Sequence, residues 1–155
     1  MASPVARAST PVEWSIRTVA LNAISFPVAR LVVQLYFGTE RPGPEAIQEP
    51  CWLDTGAPLS VVPFNLHHQR LVWQPIPGVQ TSWAGQPCDL GRIDFWFAID
   101  QPPNLRGPMS LLAKFARSDP PGDPVPVLLG LEFFLAHQAE LQLPLAPSDG
   151  SIVFP

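Results

Sequence analysis

The residues best suited to do chemistry surround one carboxylate, Asp54. The apolar Cys51-Trp52-Leu53 precedes it, Thr55-Gly56 follows it, and a mostly apolar run leads on to Pro63. This order of residues predicts a strand, a tight turn that carries Asp54, and a second strand. Between two such strands the carboxylate would lie in a low dielectric, where its ionised form is costly unless hydrogen-bond donors or a second carboxyl group stabilise it. Carboxylates in such surroundings are typical of functional sites.

A second segment with a distinctive pattern lies downstream. Val125 to Gly130 predicts a strand that ends at its glycine, and Leu131 to Leu141 predicts a short helix. The apolar residues Leu131, Phe134 and Leu135 recur at helical spacing. That face of the helix is therefore expected to pack under a sheet.

Together the two segments resemble the active site of single-lobed, retropepsin-like (retroviral-type) aspartic proteases. Asp54-Thr55-Gly56-Ala57, followed by Ser60 and an apolar pair, is similar to the catalytic loop of that family. Leu128-Leu129-Gly130 is similar to the end of the strand that passes beside this loop. The resemblance covers roughly Val12 to Pro155. It implies a mainly β fold with closed or highly curved antiparallel sheets and one short helix after the Leu-Leu-Gly strand.

The resemblance implies an aspartic endopeptidase that acts with two carboxylates. The 155-residue chain is small for a two-lobed enzyme and has no second Asp-Thr/Ser-Gly, so the second carboxylate would be Asp54 of another copy. Two close carboxylates share one proton, because like-charge repulsion opposes the ionisation of both. One Asp54 would activate water, and the protonated one would polarise the scissile carbonyl. The implied partners are a second copy and a peptide or protein substrate, with neither metal nor organic cofactor.

The resemblance also assigns roles to the neighbours of Asp54. Thr55 would hold the two loops together across the dimer interface, and Gly56 would let the backbone approach the carboxylates and the substrate closely. Ala57 would leave a substrate subsite open. An apolar cleft of this kind would favour hydrophobic side chains beside the cut bond.

A long hairpin is predicted over Val79 to Asp100, with its tip within Gln80 to Pro87 and its return strand within Cys88 to Ile99. In the family, a hairpin at this place in the chain folds over the substrate as a flap. The resemblance therefore implies a flap tip over the bound peptide, formed by Ser82, Trp83, Ala84 and Gly85. The alternative is an ordinary surface hairpin whose Trp83 packs on the body of the domain.

Two positions depart from the family pattern. Retroviral enzymes commonly place a carboxylate just after Asp-Thr-Gly-Ala and an arginine just after the downstream glycine, and the two form an ion pair. Here those places hold Pro58 and Leu131. Because both partners are missing together, no buried charge is left alone, and an apolar contact can replace the pair.

Composition sets the broad class. Hydrophobic residues make up 46% and charged residues 14%, which is typical of a globular protein, and the 21 prolines favour short strands over long helices. A net charge of -4 without a basic block predicts no nucleic-acid partner. Neither a signal peptide nor a spanning segment is evident, so we expect a cytoplasmic protein without membrane contact. Met1 to Pro11 is interpreted as a flexible tail before a single domain over residues 12–155.

Strands are also predicted at Val12 to Leu21 and Val28 to Phe37, with a turn at Phe26-Pro27 between them. Histidines invite a metal hypothesis at two places, but adjacent residues on a helix do not face each other. We therefore interpret the residues of the two places as solvated surface: His67 and His68, and Glu132, His137 and Glu140. The two cysteines, Cys51 and Cys88, are interpreted as reduced, buried thiols.

Two other functions remain open. One is a catalytically inactive peptide-binding or dimerisation module that keeps the retropepsin-like fold. The other is an unrelated β-sandwich in which the motif occurs by chance. The intact Asp54-Thr55-Gly56-Ala57 favours the enzyme.

Overall fold

The structure is a computed structural model that describes residues 7–43, 46, 48–99, 104–143 and 150–155. Ten strands and two short helices are formed by these residues, which confirms the predicted mainly β class. In chain order they are β1 Ala8–Leu21, β2 Ile24–Phe37, β3 Glu49–Leu53, β4 Ser60–Val62, α1 Phe64–Arg70, β5 Gln74–Trp83, β6 Gln86–Ala98, β7 Leu105–Ala116, β8 Val127–Leu129, α2 Leu131–His137, β9 Glu140–Gln142 and β10 Gly150–Phe154.

The strands form one mixed sheet in the order β5-β6-β7-β4-β8-β3-β2-β1-β10-β9. An additional pairing between β2 and β6 joins Leu35 to Phe97 and closes six of the strands into a ring. The sheet is mixed and not antiparallel as predicted, because β8 runs parallel to β3 and β4 runs parallel to β7. Parallel neighbours need a long crossover, and the chain between Leu53 and Val127 provides one for β3 and β8.

The apolar side chains of the ring meet in a single core. Its largest fully buried side chains are aromatic, and α2 adds Phe133 to them. Phe97 stacks on Phe154 with 4.1 Å between ring centroids, which ties β10 to the ring. The fully buried rings are Phe95, Phe97, Phe115, Phe133 and Phe154.

The N-terminal strand is longer than predicted at its start. β1 begins at Ala8, which pairs with Phe154 of β10, so residues 8–11 belong to the sheet and not to a flexible tail. The Ala-, Ser- and Pro-rich composition does not predict a strand. The strand forms because β10, which is distant in sequence, pairs with it. Met1 to Ala6 lie outside the described residues.

The turn between β1 and β2 is at Asn22-Ala23, so the prediction of a turn at Phe26-Pro27 is wrong. Both turn residues have positive φ, 48° and 66°, as a two-residue hairpin turn that matches the strand twist requires. Asparagine tolerates this conformation. Pro27 lies opposite Thr18 in a part of β2 whose pairing is with β1 alone, and proline is tolerated in such edge positions.

Both helices are seven residues long. Within the described ranges, no helix has the length and apolar character needed to cross a bilayer.

Candidate active site

Asp54 follows the last residue of β3 and lies at the edge of the core. The residues before it alternate, since Cys51 and Leu53 are buried while Trp52 and Asp54 are partly exposed. The side chains of Trp52 and Asp54 therefore point to the same side of the strand, away from the core. The Asp54 N–H donates to the Leu129 carbonyl over 2.9 Å, which continues the pairing of β3 with β8 by one residue.

The turn after β3 orients the carboxylate. The Gly56 N–H donates to Asp54 Oδ1 over 3.2 Å, and the Ala57 N–H donates to the Asp54 carbonyl over 3.1 Å. An aspartate that accepts a backbone N–H two residues on stabilises a tight turn. Thr55 and Gly56 are exposed. Because Asp54 itself is only partly exposed, the turn is open to water mainly at Thr55 and Gly56 in the single chain.

The junction between β8 and α2 holds the other half of the loop. Gly130 N–H donates to the fully buried hydroxyl oxygen of Ser60 over 3.1 Å. Leu131 N–H and Glu132 N–H donate to the carbonyls of Ala57 and Pro58 over 2.8 and 3.0 Å. The first N–H groups of a helix have no partner inside it, so the loop carbonyls supply these partners to α2. The loop and the helix thus fix each other.

Gly130 is required by this packing. A Cβ atom at this position would lie 2.6 Å from the backbone carbon of Leu59 and 2.7 Å from the carbonyl oxygen of Ala57. Backbone atoms cannot move aside as the end of a flexible side chain can. The glycine of the Leu128-Leu129-Gly130 segment therefore allows the strand to pass against the Asp54 loop.

Ser60 is the residue of this arrangement whose role sequence reasoning missed. Ser60 lies in the motif that begins at Asp54. Its hydrogen bond with Gly130 joins residues that are distant in sequence, so no local pattern predicts it. A small hydroxyl residue at the start of an apolar strand is the one available hint.

The face of α2 that packs inward differs from the prediction. Phe133 is fully buried against the rings of Phe95 and Phe154, and Phe134 is partly buried. Leu131 and Leu135 are 45% and 79% exposed. With only two turns of helix, the one side chain that reaches the aromatic core sets the rotation, and Phe133 fills more of that core than a leucine would.

The predicted hairpin is present and extends further back than expected, as β5 and β6. Ala84 and Gly85 form its two-residue turn with φ of 49° and 74°, while Ser82 and Trp83 end β5 opposite Pro87 and Gln86. The pairing of β6 with β7 reaches Cys88, so only a short tip extends past β7.

This tip is attached to its own sheet. Lys114 Nζ donates to the Ser82 carbonyl over 2.8 Å, and Arg117 forms two hydrogen bonds of 2.6 and 3.1 Å with the Asp89 carboxylate nearby. Within the described part of the chain, no hydrogen bond joins the tip to the Asp54 loop. In the single chain, hydrogen bonds therefore join the Asp54 to Ala57 loop to Leu129 and Gly130, but none of the described ones joins it to the predicted flap residues.

The interpretation of the histidines as solvated surface is wrong for two of them. His67 Nε2 lies 2.7 Å from the Ala116 carbonyl, and its ring packs edge-on against Trp73. His137 Nε2 lies 2.9 Å from the Ser110 carbonyl, and burial lowers the pKa of this histidine. Among the described residues, no three His, Cys, Asp or Glu side chains are grouped as metal ligands. Cys51 and Cys88 are buried free thiols.

Comparisons with family models, with curated proteins and with solved structures gave no match for this chain. The resemblance to aspartic proteases therefore stays a prediction from the sequence motif.

Proposed function

We propose that this chain is a homodimeric, retropepsin-like aspartic endopeptidase in which Asp54 from each of two copies shares one proton. The observation that carries the proposal is the set of hydrogen bonds that fix the Asp54 to Pro58 loop against β8, β4 and α2. Asp54 N–H bonds Leu129, Gly130 N–H bonds Ser60, and the first turn of α2 bonds the carbonyls of Ala57 and Pro58. A strand and helix that hold an Asp-Thr-Gly loop in this way are what the resemblance implies.

The exposure of the loop supports the need for a second copy. The Asp54 carboxylate accepts a hydrogen bond from the backbone N–H of Gly56. None of the described side chains forms a hydrogen bond or an ion pair with it. One carboxylate cannot both take a proton from water and give one to the peptide carbonyl. Because Thr55 and Gly56 face solvent, the loop of a second copy can approach and supply the missing carboxylate.

The pair would catalyse hydrolysis without a covalent intermediate. The ionised Asp54 takes a proton from water, and the water oxygen forms a bond to the carbonyl carbon of the peptide. The protonated Asp54 gives its proton to the carbonyl oxygen. When the tetrahedral intermediate collapses, the C–N bond breaks and the Asp54 that now holds the proton gives it to the departing nitrogen. The other Asp54 takes a hydroxyl proton from the intermediate as the product carboxyl group forms, so the pair again holds one proton. The Gly56 N–H donates to Oδ1 and so orients the carboxylate.

The two departures from the family pattern lie side by side at the surface. Pro58 is exposed, Leu131 is 45% exposed, and the Glu132 N–H bonds the Pro58 carbonyl. An apolar contact with the second copy would replace the missing ion pair at this place.

The test is cleavage of a diverse peptide library by the native chain, by Asp54→Asn and by Asp123→Asn at several protein concentrations. Asp123 is an exposed loop carboxylate and provides the matched control. We expect the native chain and the control to cleave, with a rate per chain that rises with concentration in the dimerisation range. Cleavage by Asp54→Asn at the native rate would refute the proposal.

The alternative is an inactive peptide-binding or dimerisation module, and the β5–β6 hairpin is the observation that favours it. Its short tip is tied to β7 through Lys114 and Ser82. Peptide binding by a folded dimer, with no cleavage that depends on Asp54, would support this alternative.

A further inference from the structure

A cavity of about 440 Å³ opens on the side of β3 that carries the side chains of Trp52 and Asp54. Its walls come from β1, β2, β3, α1 and the loop before β8. The volume lies within the range of about 300–1,000 Å³ typical of ligand sites. Sequence reasoning missed this cavity, because its walls come from segments that are distant in the chain.

The cavity lies close to the candidate catalytic carboxylate. Trp52 lines it, and Trp52 and Asp54 are two residues apart on the same side of the strand. Two residues of extended chain span about 6.6 Å. A peptide bound across Asp54 can therefore place a side chain near the cut bond into this cavity.

The loop wall of the cavity is fixed in place. The Asp119 carboxylate accepts hydrogen bonds of 2.8 Å from each of the first two N–H groups of α1, those of Phe64 and Asn65. These bonds tie the start of the loop that leads to Pro124 and Pro126 to the helix that carries Asn65. The pocket is thus formed before any ligand binds.

The charges around the cavity favour an anion. Its one lining carboxylate, Glu49, is paired with Arg70 over 2.9 Å. Arg17 also lines the cavity and has no ion pair among the described residues. Arg30 lies on the same sheet face, with its guanidinium carbon 5.1 Å from the centre of the Trp52 ring. Glu13 shares this face of β1 but does not line the cavity.

We propose that this cavity is a specificity pocket that binds an acidic side chain, glutamate or aspartate, of the peptide substrate. Arg17 would pair with the carboxylate, with Ser15 and Asn65 as neutral donors, while Trp52 and the prolines contact the methylene groups. This inference rests on the proposed peptidase function. It adds an acidic side chain to the hydrophobic ones that the cleft is expected to favour.

The test is a binding measurement that does not require catalysis. Fluorescence polarisation of the full-length Asp54→Asn chain would be measured with labelled peptides that carry Glu or Gln at one scanned position and are otherwise identical. At one position we expect about tenfold tighter binding of the Glu peptide, weakened by added salt. Adding Arg17→Gln should remove this difference. Arg106→Gln, an exposed arginine on β7, is the control and should keep it.

Charge reversal separates recognition from damage to the fold. Arg17→Glu should reverse the preference, so that a Lys peptide binds more tightly than the Glu peptide, which loss of structure would not produce. Equal binding of the Glu and Gln peptides at every position would overturn the inference. Cleavage that depends on Asp54 but ignores acidic residues would overturn this inference alone. Arg17-dependent binding without cleavage would overturn the peptidase proposal alone.

Discussion

Gly130 is the position at which one added carbon would disturb the Asp54 loop most directly. Its Cβ would meet backbone atoms of Leu59 and Ala57 at 2.6 and 2.7 Å. We expect Gly130→Ala to lower the free energy of unfolding by about 2 kcal/mol, as overpacking against a rigid backbone does. Urea denaturation would measure this.

Gly43→Ala is the matched control for this substitution. A Cβ at Gly43 meets no atom within 4 Å, so the change should stay within about 0.5 kcal/mol. Equal stability of the two variants would show that the contact between Gly130 and the loop is looser than the distances indicate.

His137 gives the fold a dependence on pH at the scale of one residue. Burial lowers its pKa from the ordinary 6.5, and the rings of Phe95 and Phe133 surround it. The unfolded chain therefore binds a proton more readily than the folded one. The resulting stability is present above pH 6.5 and is lost as the pH falls below it.

Replacing this histidine with an apolar ring should remove that dependence. Urea midpoints at pH 7.5 and 5.5 should differ less for His137→Phe than for the native chain. A native midpoint that rises as the pH falls over this interval would contradict the assignment.

At the scale of the element, α2 presents two leucines to solvent beside the loop that it holds. Leu135 is 79% exposed, so Leu135→Glu should change the stability of the single chain by no more than about 0.5 kcal/mol. If two Asp54 loops meet in a dimer, α2 lies next to the contact. The same substitution should then weaken self-association, as measured by analytical ultracentrifugation.

Val72→Glu is the control, because Val72 is 81% exposed and lies in the segment after α1, outside α2. We expect this variant to associate like the native chain. Identical dissociation constants for Leu135→Glu and Val72→Glu would place the interface elsewhere.

The elements also show how far sequence reasoning extends. Apolar runs and turn residues predicted β3, β8 and the hairpin that turns at Ala84-Gly85, because these signals are local. The parallel pairing of β3 with β8, the rotation of α2 and the role of Ser60 depend on contacts between distant segments. The turn at Asn22-Ala23 was missed because Pro27 predicts a turn more strongly than a single asparagine does.

At the scale of the whole molecule, the pairings within the sheet bear on where the proposed second copy would bind. The two ends of the chain pair with each other through Ala8 and Phe154, and β2 pairs with β6 to close the ring. The pairing of β10 with β1 therefore needs no second copy. The exposed Thr55-Gly56 turn remains the place where the two copies would meet.

The most direct test of a shared pair is to mix native chain with Asp54→Asn and measure peptide cleavage. The native concentration is held constant, within the range where all chains are dimeric. With equal amounts and random pairing, half of the native chains enter mixed dimers that have one Asp54, so we expect activity to fall to about half. A variant that carries both Asp54→Asn and Leu135→Glu should inhibit less, because it associates less. Activity that stays unchanged as Asp54→Asn is added would contradict the shared pair.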